Sequence, residues 1–334
     1  MGLLHLIRRV MIVGFFVFVY KQAGAIEEPG ERLTVYNTNL SITIDALKIK
    51  GAASNANSCI IPFTLAGKLI VVQGRADTVQ GNFILDTGAP DLVLNNTYFR
   101  NYIVSTSNTE QEASITGIGE QSKRITVKQF QLGTLSYSKT YADVLSLGHL
   151  EDARGLKILG LLGISLFKDC ELMIDFENRQ IHLYRISKKE KETYIHPLLA
   201  THPRVSVMPF ELRENRILVD TKIGNKELQF VIDYAAESNV IDSRLPEKVL
   251  DSVRVTGRVL LTGTGSKKIE AATGDLSAIT IGPMQFKKLP VIITNLENTC
   301  FGTLNCINGV LGHDFLSGYT LVFNFVTRKL YILY

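Results

Sequence analysis

The chain repeats itself once, and that constrains its fold more than any other feature. A shift of 147 positions lays Phe83-Ile84-Leu85-Asp86 over Phe230-Val231-Ile232-Asp233. Without a gap it also lays Phe63 over Phe210, Ile70 over Ile217 and Val93-Leu94 over Val240-Ile241. The shift becomes 146 where Gly117-x-Gly119 meets Gly263-x-Gly265, and 149 where Gly133 meets Gly282. At 149 it still aligns Gly160-Leu161-Leu162-Gly163 with Gly309-Val310-Leu311-Gly312, and Asp175-Phe176 with Asn324-Phe325. Two copies are too few for a solenoid and specify two similar lobes facing each other. Each copy carries one Asp at one turn, so a pseudo-twofold axis near those turns would bring Asp86 and Asp233 together.

The local pattern is β throughout. Phe83-Ile84-Leu85 and Leu92-Val93-Leu94 are apolar on both faces and bounded by turn residues, as buried strands are. A carboxylate between two such runs needs partners to stay ionised there. The segment from Ile125 to Gly133 alternates with period two, and Glu177-Asn178-Arg179 joins two strands as a hairpin. Gly117-Ile118-Gly119 is expected to be a mobile turn serving as a flap. The charged, Pro-punctuated stretch from Lys188 to Pro203 reads as a connection between lobes. The expected division is a signal segment at 1–25, an extension at 26–57, a first lobe at 58–186, a linker at 187–203 and a second lobe at 204–334.

Arg8 and Arg9, the apolar run from Val10 to Tyr20 and the small residues Ala23-Gly24-Ala25 have the layout of a cleaved secretory signal. Export to a periplasm or the extracellular space is expected, with no stable membrane span after cleavage. Removing that segment takes three of the 36 basic residues and none of the 32 acidic ones, which leaves a nearly neutral chain. Nucleic acid is not an expected partner. Four cysteines in an exported chain make disulfides plausible, with Cys300 and Cys306 placed to close a short local loop and Cys59 and Cys170 able to pair only through the fold. The six His residues, His149 and His313 among them, lack metal-ligand spacing. Asp91, Asp175 and Asp314 read as turn or strand-end residues.

Two carboxylates about 3 Å apart cannot both ionise easily, so they share a proton, one acting as base and the other as acid. Such a pair activates water directly against a peptide carbonyl and calls for no metal or cofactor. The turn residues suit the task. Gly88 lets a backbone N–H approach the carboxylate, and the Thr87 hydroxyl is small enough to lock one turn to the other.

Asp86-Thr87-Gly88-Ala89 after Phe-Ile-Leu, the later Gly160-Leu161-Leu162-Gly163 and the doubled layout resemble the pepsin and retropepsin-like aspartic proteases, especially two-lobed bacterial aspartyl protease-like proteins. The resemblance runs from about Ile60 to Tyr334. It implies an all-β fold of two similar β-barrel lobes with a cleft between them. It also implies hydrolysis of peptides or unfolded protein with one Asp from each lobe, and the repeat, with one Asp in each copy, makes a monomer the expected species. The second lobe reads Asp233-Tyr234-Ala235-Ala236 where the family has a small hydroxyl residue and Gly. Tyr234 is too large to take the place of a hydroxyl counterpart to Thr87 without rearrangement, whereas Ala235 can still offer its N–H. Glu237 adds a negative neighbour. This departure supports an alternative, a protease-like protein that holds a peptide in the cleft without cutting it. A homodimer in which two Asp86 turns meet is disfavoured, because the internal second copy occupies that face.

Overall fold

Each lobe places its apolar runs where a strand is covered on both sides and its alternating runs where one face meets water. Leu69–Ala76 and Arg216–Ile223 have the same burial pattern, four buried residues and then alternation, although their sequences differ. The computed structural model describes residues 11–12, 57–106, 111–114, 117–121, 123–195, 202–262, 268–299 and 306–334. Nearly all of the expected signal and extension, Cys300 and the Gly263-Thr264-Gly265 segment lie outside the described residues. No helix among the described residues is long and apolar enough to cross a membrane.

In the first lobe, Leu69–Ala76, Val79–Leu85, Gly160–Leu162, Leu92–Asn95, Leu135–Leu145 and Lys123–Leu132 are neighbours in that order. Lys123–Leu132 returns to pair with Leu69–Ala76, so the six strands close into a barrel. The second lobe repeats the circuit with Arg216–Ile223, Lys226–Ile232, Gly309–Leu311, Asn239–Asp242, Met284–Thr294 and Lys268–Ile281. Gly133 and Gly282, aligned by the repeat, both sit at positive φ in the turn between the two longest barrel strands. Closure leaves few open edges, the usual liability of an all-β chain.

A six-stranded sheet joins the lobes, with three strands from each. Its order is Val205–Pro209, Lys329–Leu333, Thr320–Asn324, Cys170–Asp175, Gln180–Arg185 and Ser58–Pro62. The central pair, Cys170–Asp175 against Thr320–Asn324, crosses from one lobe to the other, with Glu171 opposite Asn324. Asp175 accepts from the Asn178 N–H at 2.9 Å and closes the expected hairpin. Cys59 and Cys170 are buried free thiols on strands separated by Gln180–Arg185, so the fold does not bring about the pairing weighed for them from the sequence. Cys306 is in a disulfide.

Glu171 makes this sheet sensitive to pH. It is buried, accepts from the Tyr194 hydroxyl at 3.0 Å and from Asn324 Nδ2 at 3.2 Å, and so ties the start of the linker to the shared sheet. Burial raises its pKa to about 7 despite those hydrogen bonds. A carboxyl whose folded pKa is raised favours folding while protonated, so its contribution falls as pH rises from the unfolded value near 4.5 through 7. Glu171→Gln, which keeps an acceptor without the charge, is expected to be more stable than the native chain at pH 8 by up to about 3 kcal/mol. At pH 4 the difference should nearly vanish, and urea unfolding at the two pH values measures it.

Candidate active site

Both acidic turns form because a thin glycine-led strand slips in beside them. Gly160–Leu162 runs parallel to Val79–Leu85 and antiparallel to Leu92–Asn95, so it wedges between the strands that enter and leave the first turn. A Cβ at Gly160 would stand 2.1 Å from the Val93 carbonyl oxygen, and one at Gly309 would stand 2.2 Å from the Phe230 ring. Only glycine permits that approach. At the far end of each wedge the backbone N–H of the acid itself is held, Asp86 N by Leu162 O at 3.1 Å and Asp233 N by Leu311 O at 3.0 Å.

Asp86 and Asp233 are both fully buried. Asp86 Oδ1 accepts from the N–H groups of Gly88 and Ala89, each at 2.9 Å, and Asp233 Oδ1 accepts from the Ala235 N–H at 2.8 Å. A carboxylate held by backbone donors keeps one orientation and is partly compensated for its loss of water. The two turns also meet. A Cβ added to Gly88 would lie 2.5 Å from Asp233 Oδ2, so the residue that orients one acid is in contact with the other.

Thr87 joins the turns directly. Its hydroxyl donates to Ile232 O at 2.9 Å and accepts from the Tyr234 N–H at 3.0 Å. That is the lock expected of a small hydroxyl at this position. Its symmetric counterpart is missing, because the Tyr234 ring turns into the core and packs on Phe176 and Phe323 with centroids 6.1 and 6.2 Å away. The Tyr234 hydroxyl has no hydrogen-bond partner among the described residues, and desolvation pushes its pKa well up.

One residue of the site was not anticipated. Arg216 is almost completely buried, and its Nε donates to the Gly88 carbonyl at 3.1 Å. The signal for it was in the repeat. Shifted by 147 positions, Arg216 falls on Leu69, a charge where the first copy has an aliphatic residue.

The remaining acids are engaged elsewhere. Asp91 pairs with Arg124 at 2.9 Å, Asp314 with Lys68 at 2.5 Å and Glu237 with Arg154. The last two pairs cross between lobes, since Lys68 and Arg154 belong to the first and Asp314 and Glu237 to the second. The expected flap is a hairpin of Gln111–Ser114 and Gly117–Gln121, extended to a three-stranded sheet by Met11–Ile12, which runs parallel to Gln111–Ser114. Gly117, Ile118 and Gly119 begin its second strand and are not the turn itself, which corrects the expectation. Residues 115–116, between the two strands, lie outside the described residues.

The sequence model of the family described as Aspartyl protease matches residues 71–166 and again residues 219–315, together more than half of the chain. Each match spans one turn acid and the glycine-led strand behind it. No curated protein matches the chain.

Thr87→Val preserves the shape of the side chain but leaves Ile232 O and Tyr234 N buried without their partner. At about 1–3 kcal/mol for each unsatisfied group, the substitution should destabilise the chain by about 2–6 kcal/mol. Thr87→Ser should cost less than half as much. Denaturant unfolding of the two variants beside the native chain measures both.

Proposed function

Because the chain belongs to the aspartyl protease family, we propose that it is an exported endopeptidase in which Asp86 and Asp233 share one proton and activate water against a peptide bond. The observation that carries this reading is the contact between the turns: Gly88 donates its N–H to Asp86 and abuts the carboxylate of Asp233. Two buried acids around one glycine are in the arrangement that favours a single shared proton over two separate charges.

The chemistry follows from that proton. The ionised carboxylate takes a proton from water as its oxygen bonds to the peptide carbonyl carbon, while the protonated partner gives its proton to the carbonyl oxygen. The resulting tetrahedral diol collapses when the acid that now carries water's proton gives it to the amide nitrogen, the ionised partner takes a proton from a diol hydroxyl, and the C–N bond breaks. The pair ends with one proton, as it began. Thr87, Gly88 and Ala235 hold the acids in position and take no part in bond making. The hairpin Gln111–Ser114 with Gly117–Gln121 is assigned as the flap that excludes water over a bound peptide. One chain supplies both acids, so the active species is a monomer.

The second reading, a cleft that binds peptides without cutting them, is favoured by Tyr234, which removes half of the hydroxyl lock from the second lobe. The two readings differ in what happens to an unstructured peptide. Asp86→Ala should abolish its cleavage, a loss of at least about 100-fold, with the fold intact by circular dichroism. Unchanged cleavage would end the protease reading. The rate of the native chain should be highest at acidic to near-neutral pH and fall once the shared proton is lost, and a rate still rising above about pH 9 would contradict a one-proton pair.

A further inference from the structure

We propose that Arg216 is a positioning residue for the two carboxylates, replacing the missing hydroxyl bridge of the second lobe and supplying the fixed positive charge against which Asp86 and Asp233 hold their proton. The inference rests on the reading of the pair as a proton-sharing dyad.

The argument begins with two equivalent slots. Leu69 and Arg216 each open a barrel strand with the same burial pattern, and both are excluded from water. Leu69 shares an apolar cluster with Ala235, the residue after Tyr234, whereas Arg216 reaches Gly88, the residue after Thr87. The interface between the turns therefore has an apolar half, Leu69 with Ala235, and a polar half, Arg216 with Gly88. The polar half starts from the lobe that lacks its own hydroxyl. The Thr87 hydroxyl runs from the first turn to the second, and Arg216 Nε runs from the second lobe back to the first. Each lobe thus contributes one side chain to the cross-turn hydrogen bonds, Thr87 from the first and Arg216 from the second.

The charge is the second part of the argument. A buried guanidinium is costly unless opposite charges face it. Glu214, 3.8 Å from Arg216 Nη1 and half exposed, is the strongest of these, followed by Asp86 and Asp233. Burial lowers the Arg216 pKa to about 10, so it stays cationic wherever a carboxylate titrates. The next charges on the same turns are already answered, Glu237 by Arg154 and Asp91 by Arg124.

A fixed cation favours the ionised form of a nearby carboxylate. It therefore moves the uptake of the single shared proton to lower pH. Peptide cleavage and mere peptide holding then become two pH regimes of one cleft. In acid the pair carries its proton and cuts; at higher pH both acids are ionised against Arg216 and the cleft only binds.

The test reads the carboxyls themselves and so does not depend on activity. The full chain, labelled with carbon-13 at the Asp carboxyls, is titrated by NMR in native form, as Arg216→Met and as Arg216→Lys, with Asp86→Asn and Asp233→Asn used to assign the signals. Loss of the charge in R216M should raise the pH of proton uptake by the pair by about 1–3 units, and R216K should recover most of that shift. Where a peptide is cleaved, the kcat/KM profile should move by the same amount and in the same direction. Arg216→Gln, which keeps a donor for the Gly88 carbonyl, answers the same question if R216M does not fold. An unchanged titration in folded R216M or R216Q would overturn the role of Arg216. Asp86 and Asp233 titrating in the native chain as two independent single carboxyls would instead overturn the dyad reading, whatever Arg216 does.

Discussion

The fold depends on the approach of Gly88 to the carboxylate of Asp233. No side chain fits between them, so the two turns meet only if both barrels bring their acidic loops to the same point. The rest of the architecture serves that contact. Glycine-led strands wedge each turn from behind, and the Thr87 hydroxyl fastens one turn to the other. The six-stranded sheet beneath fixes the lobes through the pairing of Cys170–Asp175 with Thr320–Asn324. Barrel closure supplies stiffness, and the shared sheet supplies registry.

The duplication has diverged in a compensated way. Tyr234 cannot act as a small hydroxyl, so it fills the core against Phe176 and Phe323 and leaves only its backbone at the interface. Ala235 keeps its N–H on Asp233, and its Cβ fits because that half of the interface is apolar. Arg216 appears where the first lobe has Leu69 and reaches across to the first turn. The second lobe thus lost one polar contact and gained another of a different kind, with a charge attached.

How much of this was legible in the sequence depends on distance along the chain. The repeat register aligned both acidic turns and both glycine-led strands, and it also aligned Gly133 with Gly282, because duplicated backbones need the same permissive residues at the same places. The Glu177-Asn178-Arg179 hairpin was readable from local turn chemistry. The shared sheet was not, since Ser58–Pro62 pairs with Gln180–Arg185 across a whole barrel and no local pattern encodes that partner. Arg216 escaped notice because an arginine beginning a β-run reads as a solvated strand end, and only its place opposite Leu69 marked it as buried. Gly117-Ile118-Gly119 reads as a turn because paired glycines signal turns more often than strand starts, although these residues begin a strand.

The central claim is that the altered second lobe still completes the site begun by Asp86. Asp233→Asn tests it most directly, since it removes one ionisable group and keeps the size and hydrogen-bonding capacity of the side chain. If the acids act as a unit, cleavage of an unstructured peptide by this variant should fall by at least about 100-fold across the whole pH range, with the fold preserved. Cleavage retained at the native rate would mean that Asp86 works without its partner, and the two-acid account would be wrong.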